Sequence, residues 1–178
     1  RRGLRQVLDA LPSYLRGGKV VAIGLLGLAR ATVAEEDALL AQLELAERFQ
    51  LPAIVSVPDA NKEKVTRKLL ATLKRAELPA SKIMVDGAVG KTVRAIRELG
   101  FQAGLTLHPD HLTVEKAVTL VRTLGPERLI LSSAAGDGAS DILSLARAAH
   151  RLEMAGLTAG VVRRVTRDNA ASLCRITA

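Results

Sequence analysis

Short runs of branched apolar residues alternate with longer segments of helical period along this chain, and no hairpin signal joins any two of the runs. "KVVAIGL" (19–25), "PAIVSV" (52–57), "KIMVDG" (82–87), "FQAGLTL" (101–107) and "RLILSS" (128–133) read as strands. The segments 31–50, 61–77, 90–100, 112–125 and 140–156 read as helices, and two short helical pieces around 158–167 and 168–175 close the chain. Thr32 with Glu35 forms a capping-box pattern, after which Leu39, Leu40, Leu43 and Ala46 recur at helical spacing. Val65, Leu69, Leu70 and Leu73 mark the inner face of the next helix. Thr113 caps the helix at 112–125, which Gly125 and Pro126 stop. Strands that follow helices without hairpins pair in parallel through right-handed crossovers. The fold class is therefore α/β with a parallel sheet, either doubly wound or a barrel.

Composition narrows the function classes. A chain of 178 residues, 48% hydrophobic and 25% charged, is globular and has room for one core. Aromatic residues make up only 2%, so that core is built from Leu, Val, Ile and Ala. The single cysteine, Cys174, excludes an internal disulfide and a cysteine-built zinc site, which suits the cytoplasm or another reducing compartment. No run of about 18 apolar residues occurs, so no membrane partner is expected. The chain opens at Arg1 without a methionine and is read as a processed, trimmed or partly observed product. The net charge of +8 suggests nucleic acid, but the basic residues are scattered through helices, with no aromatic interleaving for base stacking. They read as a solvated surface.

Few motifs carry chemistry. "DGAVGKT" (86–92) resembles the tail of a phosphate-binding loop, but the motif needs a glycine where Val85 stands. "LHPDH" places His108, Asp110 and His111 just after a strand, a set able to hold zinc or another transition metal if the loop brings them together, and otherwise a solvated helix entry. Ser56, Asp86, His108, Ser132 and Ser133 fall at strand ends, where a Ser–His–Asp arrangement is conceivable, yet no nucleophile-elbow pattern surrounds the serines. Gly136, Asp137, Gly138 and Ser140 lie in a glycine-rich loop before a helix, an anion-binding candidate. His150 lies within a helix and reads as a surface or structural residue.

The stretches "RQVLDALPSYL", "VVAIGLLGL", "LLAQLELAERFQLPAIVSVPDANK", "KIMVDG", "GFQAGLTLHPD" and "GPERLILSSAAGDGASDIL" resemble, in order and spacing, the TatD-like metal-dependent hydrolases, amidohydrolase-type TIM barrels. The resemblance runs from about Gln6 to Leu173. It implies a single (β/α) barrel domain over 1–178, with five to six of eight units in this chain and the first two absent. The five strands would be the family's third to seventh, and its His-x-His metal strand would be missing. The family's third strand usually ends Gly-Glu-Ile-Gly, where this chain has Leu25 in the carboxylate position. Its fourth usually ends Val-His-Thr, where Ser56 stands; its fifth offers a histidine, where Gly87 stands; its seventh is followed by an aspartate, where Gly136 stands. Leucine and glycine donate nothing to a metal. The resemblance therefore implies a barrel with degenerate metal positions and no cofactor, acting as a structural or protein-interaction subunit. Its open edges would be covered by self-association or by another chain. The alternative is a diverged hydrolase of phosphodiester or amide bonds, with zinc or manganese on His108, Asp110 and His111.

Overall fold

The computed structural model describes residues 2–58, 60–136, 138 and 140–176. Helix α1 (Arg2–Leu15) precedes β1 (Ile23–Gly27), α2 (Val33–Arg48), β2 (Ala53–Ser56) and α3 (Lys62–Leu73). A single 3₁₀ turn, Ala80–Lys82, leads into β3 (Ile83–Asp86) and α4 (Gly90–Glu98). Next come β4 (Gln102–Leu107), α5 (Val114–Leu124), β5 (Leu129–Ser133) and α6 (Ser144–Met154). A C-terminal run of α7 (Ala159–Arg163), a π-helical turn at Arg164–Asp168 and α8 (Asn169–Cys174) completes the order.

All five strands are parallel, and they lie in the sheet in chain order, β1-β2-β3-β4-β5. A doubly wound sheet reverses direction at a switch point and buries helices against both faces; a barrel adds strands in sequence and keeps its helices outside. The strand order is that of the barrel. Ala53, Val55, Ile83, Val85, Ala103, Leu105, Leu129 and Leu131 share one continuous core with Leu39, Leu43, Leu69, Leu73, Ile96, Val121 and Leu152 from the helices. The opposite face carries Met84 and Ile130, packed with Leu173 of α8 and flanked by Ile54 and Ala170. The fold is an α/β arrangement of five barrel units.

The capping signals act as read. Thr32 Oγ1 accepts the Glu35 N–H at 3.3 Å while Glu35 Oε2 accepts the Thr32 N–H at 3.0 Å. Thr113 Oγ1 accepts from the Lys116 N–H at 3.4 Å, and Gly125 ends α5 at φ +74°. Some element ends and one helix differ from the sequence reading; helix α3, expected over 61–77, ends at Leu73. The first strand begins at Ile23 and not at residue 19, because its ladder opens with the Ile23 N–H bonding to Pro52 O and the preceding residues have no strand beside them. Helix α6 begins at Ser144 and not near 140, because Asp141 folds back to accept the Leu143 N–H at 2.9 Å. Helix α1 is an element the sequence reading does not expect. Leu4, Leu8, Leu11 and Leu15 do recur at helical spacing, but Pro12 interrupts the segment, and none of its described side chains is fully buried.

Candidate functional site

The C-terminal ends of the strands converge on a pocket of about 220 Å³. Ser56 ends β2, Asp86 ends β3 and Thr106 lies near the end of β4, all three on the sheet face away from the helices. Ser56 and Asp86 are register partners. Thr106 is one level higher, and Gly104 occupies the level beside Asp86. A Cβ on Gly104 would meet Asp86 Oδ1 at 2.6 Å and Met84 Sδ at 3.3 Å. The missing side chain lets the Asp86 carboxylate lean across β4 and accept the Thr106 hydroxyl at 2.6 Å. Thr106 Oγ1 in turn lies 3.2 Å from Ser132 Oγ on β5. The result is a polar chain across three strands, Asp86–Thr106–Ser132.

The loop after β4 supplies the pocket wall. The His108 N–H bonds to Leu112 O at 3.0 Å and the His111 N–H to His108 O at 3.2 Å, so "HPDHL" closes on itself as a tight turn. That turn brings the His108 and His111 rings to 4.7 Å between centroids. His108 is 7% exposed, and its Nδ1 accepts the Asp110 backbone N–H at 3.2 Å. A neutral imidazole that accepts at Nδ1 carries its proton on Nε2, which leaves neither nitrogen with a free lone pair. The Asp110 side chain is 75% exposed, and its nearer approach to His108 Nδ1 is 3.9 Å. His108, Asp110 and His111 are thus neighbours in a turn without forming a ligand set.

The remaining sequence candidates separate. Leu25 lines the rim of the pocket and is 67% exposed; Gly87 lines its wall. Gly87 has a conformational reason of its own: φ is +75°, and a Cβ there would approach Val57 O to 3.3 Å. Gly136 lies outside the pocket in an exposed loop, where its N–H bonds to Ser140 Oγ at 3.2 Å. Asp137 is outside the described residues; Gly138 is exposed at φ +49°. The N-terminus of α6, which that loop was expected to lend to an anion, already faces the Asp141 carboxylate. Alternation turns Ser133 to the helix-covered face with Leu129 and Leu131, away from Asp86. Among the described residues no hydrogen bond joins Ser56, Asp86 and His108 to one another, so the Ser–His–Asp arrangement is not assembled. His150 is exposed on α6. Thr106 and Lys62, both in the pocket, were not singled out from sequence. A threonine in a strand reads as an ordinary strand former, and its partner lies 20 residues away.

A divalent hydrolytic centre needs three or four nitrogen or oxygen donors aimed at one point. Among the described residues no three His, Cys, Asp or Glu side chains converge in that way. Asp86, Thr106 and Ser132 are linked to one another, and the described residues do not fit such a metal.

Comparison with known proteins agrees with the fold and places the chain. No family model matches it. An uncharacterized metal-dependent hydrolase of Methanocaldococcus jannaschii, MJ0761, is 33% identical over 142 residues, covering 79% of this chain and 56% of that protein. The crystal structure of the TatD-like protein AF1765 from Archaeoglobus fulgidus superposes with a TM-score of 0.73 at 30% identity, over 94% of this chain and 65% of that one. The chain belongs to the TatD-like metal-dependent hydrolase family. It spans about half the length of the curated relative it matches. YjjV, a TatD homolog from Escherichia coli, shares the fold at a TM-score of 0.61 and 24% identity, over 97% of this chain and 66% of that chain.

Proposed function

We propose that this chain acts as a metal-free TatD-like subunit whose work is binding and assembly. One observation carries the reading. At the four positions where the family resemblance expects metal donors stand Leu25, Ser56, Gly87 and Gly136, while Asp86, the carboxylate among the described residues that line the pocket, accepts from Thr106. A leucine and two glycines offer no donor, and a neutral serine hydroxyl is a poor substitute for an imidazole. Loss at one position leaves a weakened site; loss at all four leaves none. A second reading, a diverged hydrolase of phosphodiester or amide bonds, draws on the 4.7 Å approach of His108 and His111.

One measurement separates the two readings. The purified chain is exposed to zinc and to manganese, desalted, and its metal content read by inductively coupled plasma mass spectrometry. Metal well below one equivalent per chain is the expected result. Close to one equivalent, lost in the double variant His108→Ala/His111→Ala, would overturn the binding reading in favour of the hydrolase.

A further inference from the structure

The "HPDH" turn after β4 is held by few bonds, and one of them depends on a protonation state. The His108 N–H bonds to Leu112 O at 3.0 Å, the His111 N–H to His108 O at 3.2 Å, and the Asp110 N–H to His108 Nδ1 at 3.2 Å. Pro109 has no N–H to add. The third bond exists only while Nδ1 keeps its lone pair, as it does in a neutral imidazole with the proton on Nε2. A second proton turns Nδ1 from acceptor into donor and sets two N–H groups against each other.

An acceptor for that new donor stands in the same turn. His108 Nδ1 lies 3.9 Å from Asp110 Oδ2, where the His108 side chain is 7% exposed and the Asp110 side chain 75%. A buried imidazolium without a partner is costly, so the cation requires the carboxylate, and the Asp110 N–H has to turn away as the carboxylate approaches. Other charged groups face His108 from each neighbouring element. Lys62 of α3, Asp86 of β3 and His111 of the turn line the strand-end pocket with it, while Glu115 of α5 and Asp141 before α6 line a second hollow with it. Asp86 accepts the Thr106 hydroxyl, and Asp141 accepts the Leu143 N–H and lies 3.0 Å from Arg147 Nε. Asp110 differs from these in that its backbone and its side chain both meet the same nitrogen.

We propose that the turn is a proton-operated wall of the strand-end pocket: on gaining a proton from solvent at Nδ1, His108 exchanges the Asp110 N–H for the Asp110 carboxylate, and the turn opens. The stretch of pocket wall supplied by His108, His111 and Leu112 shifts with it. This device goes beyond the assembly reading, and it is tested on chain stripped of metal with a chelator, so its failure is separate from that of the metal measurement.

The full chain, labelled with nitrogen-15, is titrated by NMR from about pH 8 to about pH 5, the range in which histidines change charge. Long-range proton–nitrogen correlations should place the His108 proton on Nε2 at the upper end, and the Asp110 amide should shift on the same curve as the His108 ring. His111 has ring signals of its own, so the two titrations are told apart. Protection of the His108 and His111 amides from hydrogen exchange, corrected for intrinsic rates, should fall about tenfold along that curve, the scale of one lost hydrogen bond. His108→Gln should flatten the Asp110 amide curve. Asp110→Asn keeps the N–H but removes the acceptor for the cation, so it should move the transition to lower pH; its exposed position also keeps the test open should His108→Gln fail to fold. Four results would overturn the proposal: a neutral His108 with its proton on Nδ1, an Asp110 amide that follows His111 or does not titrate, exchange protection unchanged across the titration, or a transition that Asp110→Asn leaves in place.

Discussion

Gly104 decides the geometry of the pocket floor. It stands at the level of Asp86 in a parallel sheet, and the space its missing Cβ leaves is where the carboxylate reaches Thr106. Gly104→Ala should push Asp86 off Thr106 and force a shift in β3 or β4. Overpacking of that kind costs about 1–3 kcal/mol, which urea denaturation would read directly. An unchanged midpoint would mean that the Asp86–Thr106 bond is not what requires the glycine. From sequence, Gly104 is an unremarked glycine inside a strand. Asp86 could be placed at a strand end, but its partner could not, because the bond depends on register between strands 20 residues apart.

At the scale of elements, the two outer helices α2 and α3 are joined by a buried charge. Glu36 lies one turn before Leu39 on the apolar stripe Leu39, Leu43 and Ala46, and it is 6% exposed. Lys68 and Thr72 on α3, and Arg75 just past its end, face it: Lys68 Nζ lies 2.8 Å from Glu36 Oε1, while Thr72 Oγ1 at 3.0 Å and Arg75 Nη1 at 3.5 Å meet Oε2. Hydrogen bonding from Lys68 is the largest influence holding the Glu36 carboxyl below its ordinary value of 4.5, against the opposing effect of burial. A carboxyl whose pKa is lowered on folding adds stability that is present above its unfolded pKa and fades as the pH falls through the folded value. The stability difference between the native chain and Glu36→Gln should therefore be full near neutrality and shrink as the pH drops below about 4.5. Urea midpoints from pH 7 down to about pH 3 would check this; a difference constant across that range would remove the linkage. Capping was legible at this scale because it is local: Thr32 with Glu35, and Thr113, need only their own turn. Helix α1 was not, since Pro12 masks a pattern that is otherwise present.

For the whole molecule, the exposed strand edge is the dominant fact. β1 pairs with β2 on one side, and among the described residues no strand pairs with its other side. Val21, just before β1, and Leu25 within it are exposed. At the far edge Asn169 Nδ2 donates to Leu129 O at 2.7 Å and to Pro126 O at 2.8 Å, so α8 covers the start of β5. The two edges are thus unequal: one is capped by the chain itself, and the other offers unpaired backbone and apolar side chains. Self-association through the β1 edge follows from the assembly reading. Light scattering should give a mass above the 18.9 kDa of one chain, reduced to that value by Val21→Lys with Leu25→Lys. A mass of 18.9 kDa for the native chain across concentrations would rule self-association out.

The sequence by itself determined the order of strands and helices, the caps, the parallel sheet and, through motif resemblance, the family. Each of those rests on period, local turn chemistry or linear motif, which a chain carries without folding. Period and spacing leave a barrel and a doubly wound sheet both open; the family resemblance implies the barrel, and the tertiary structure shows the strand order that goes with it. It also decided that Asp86 binds Thr106 and not His108, that the "HPDH" turn ties up His108 Nδ1, and that Glu36 is buried between helices. Those are contacts between residues remote in sequence or fixed by one turn's closure, and only packing brings such groups within bonding distance.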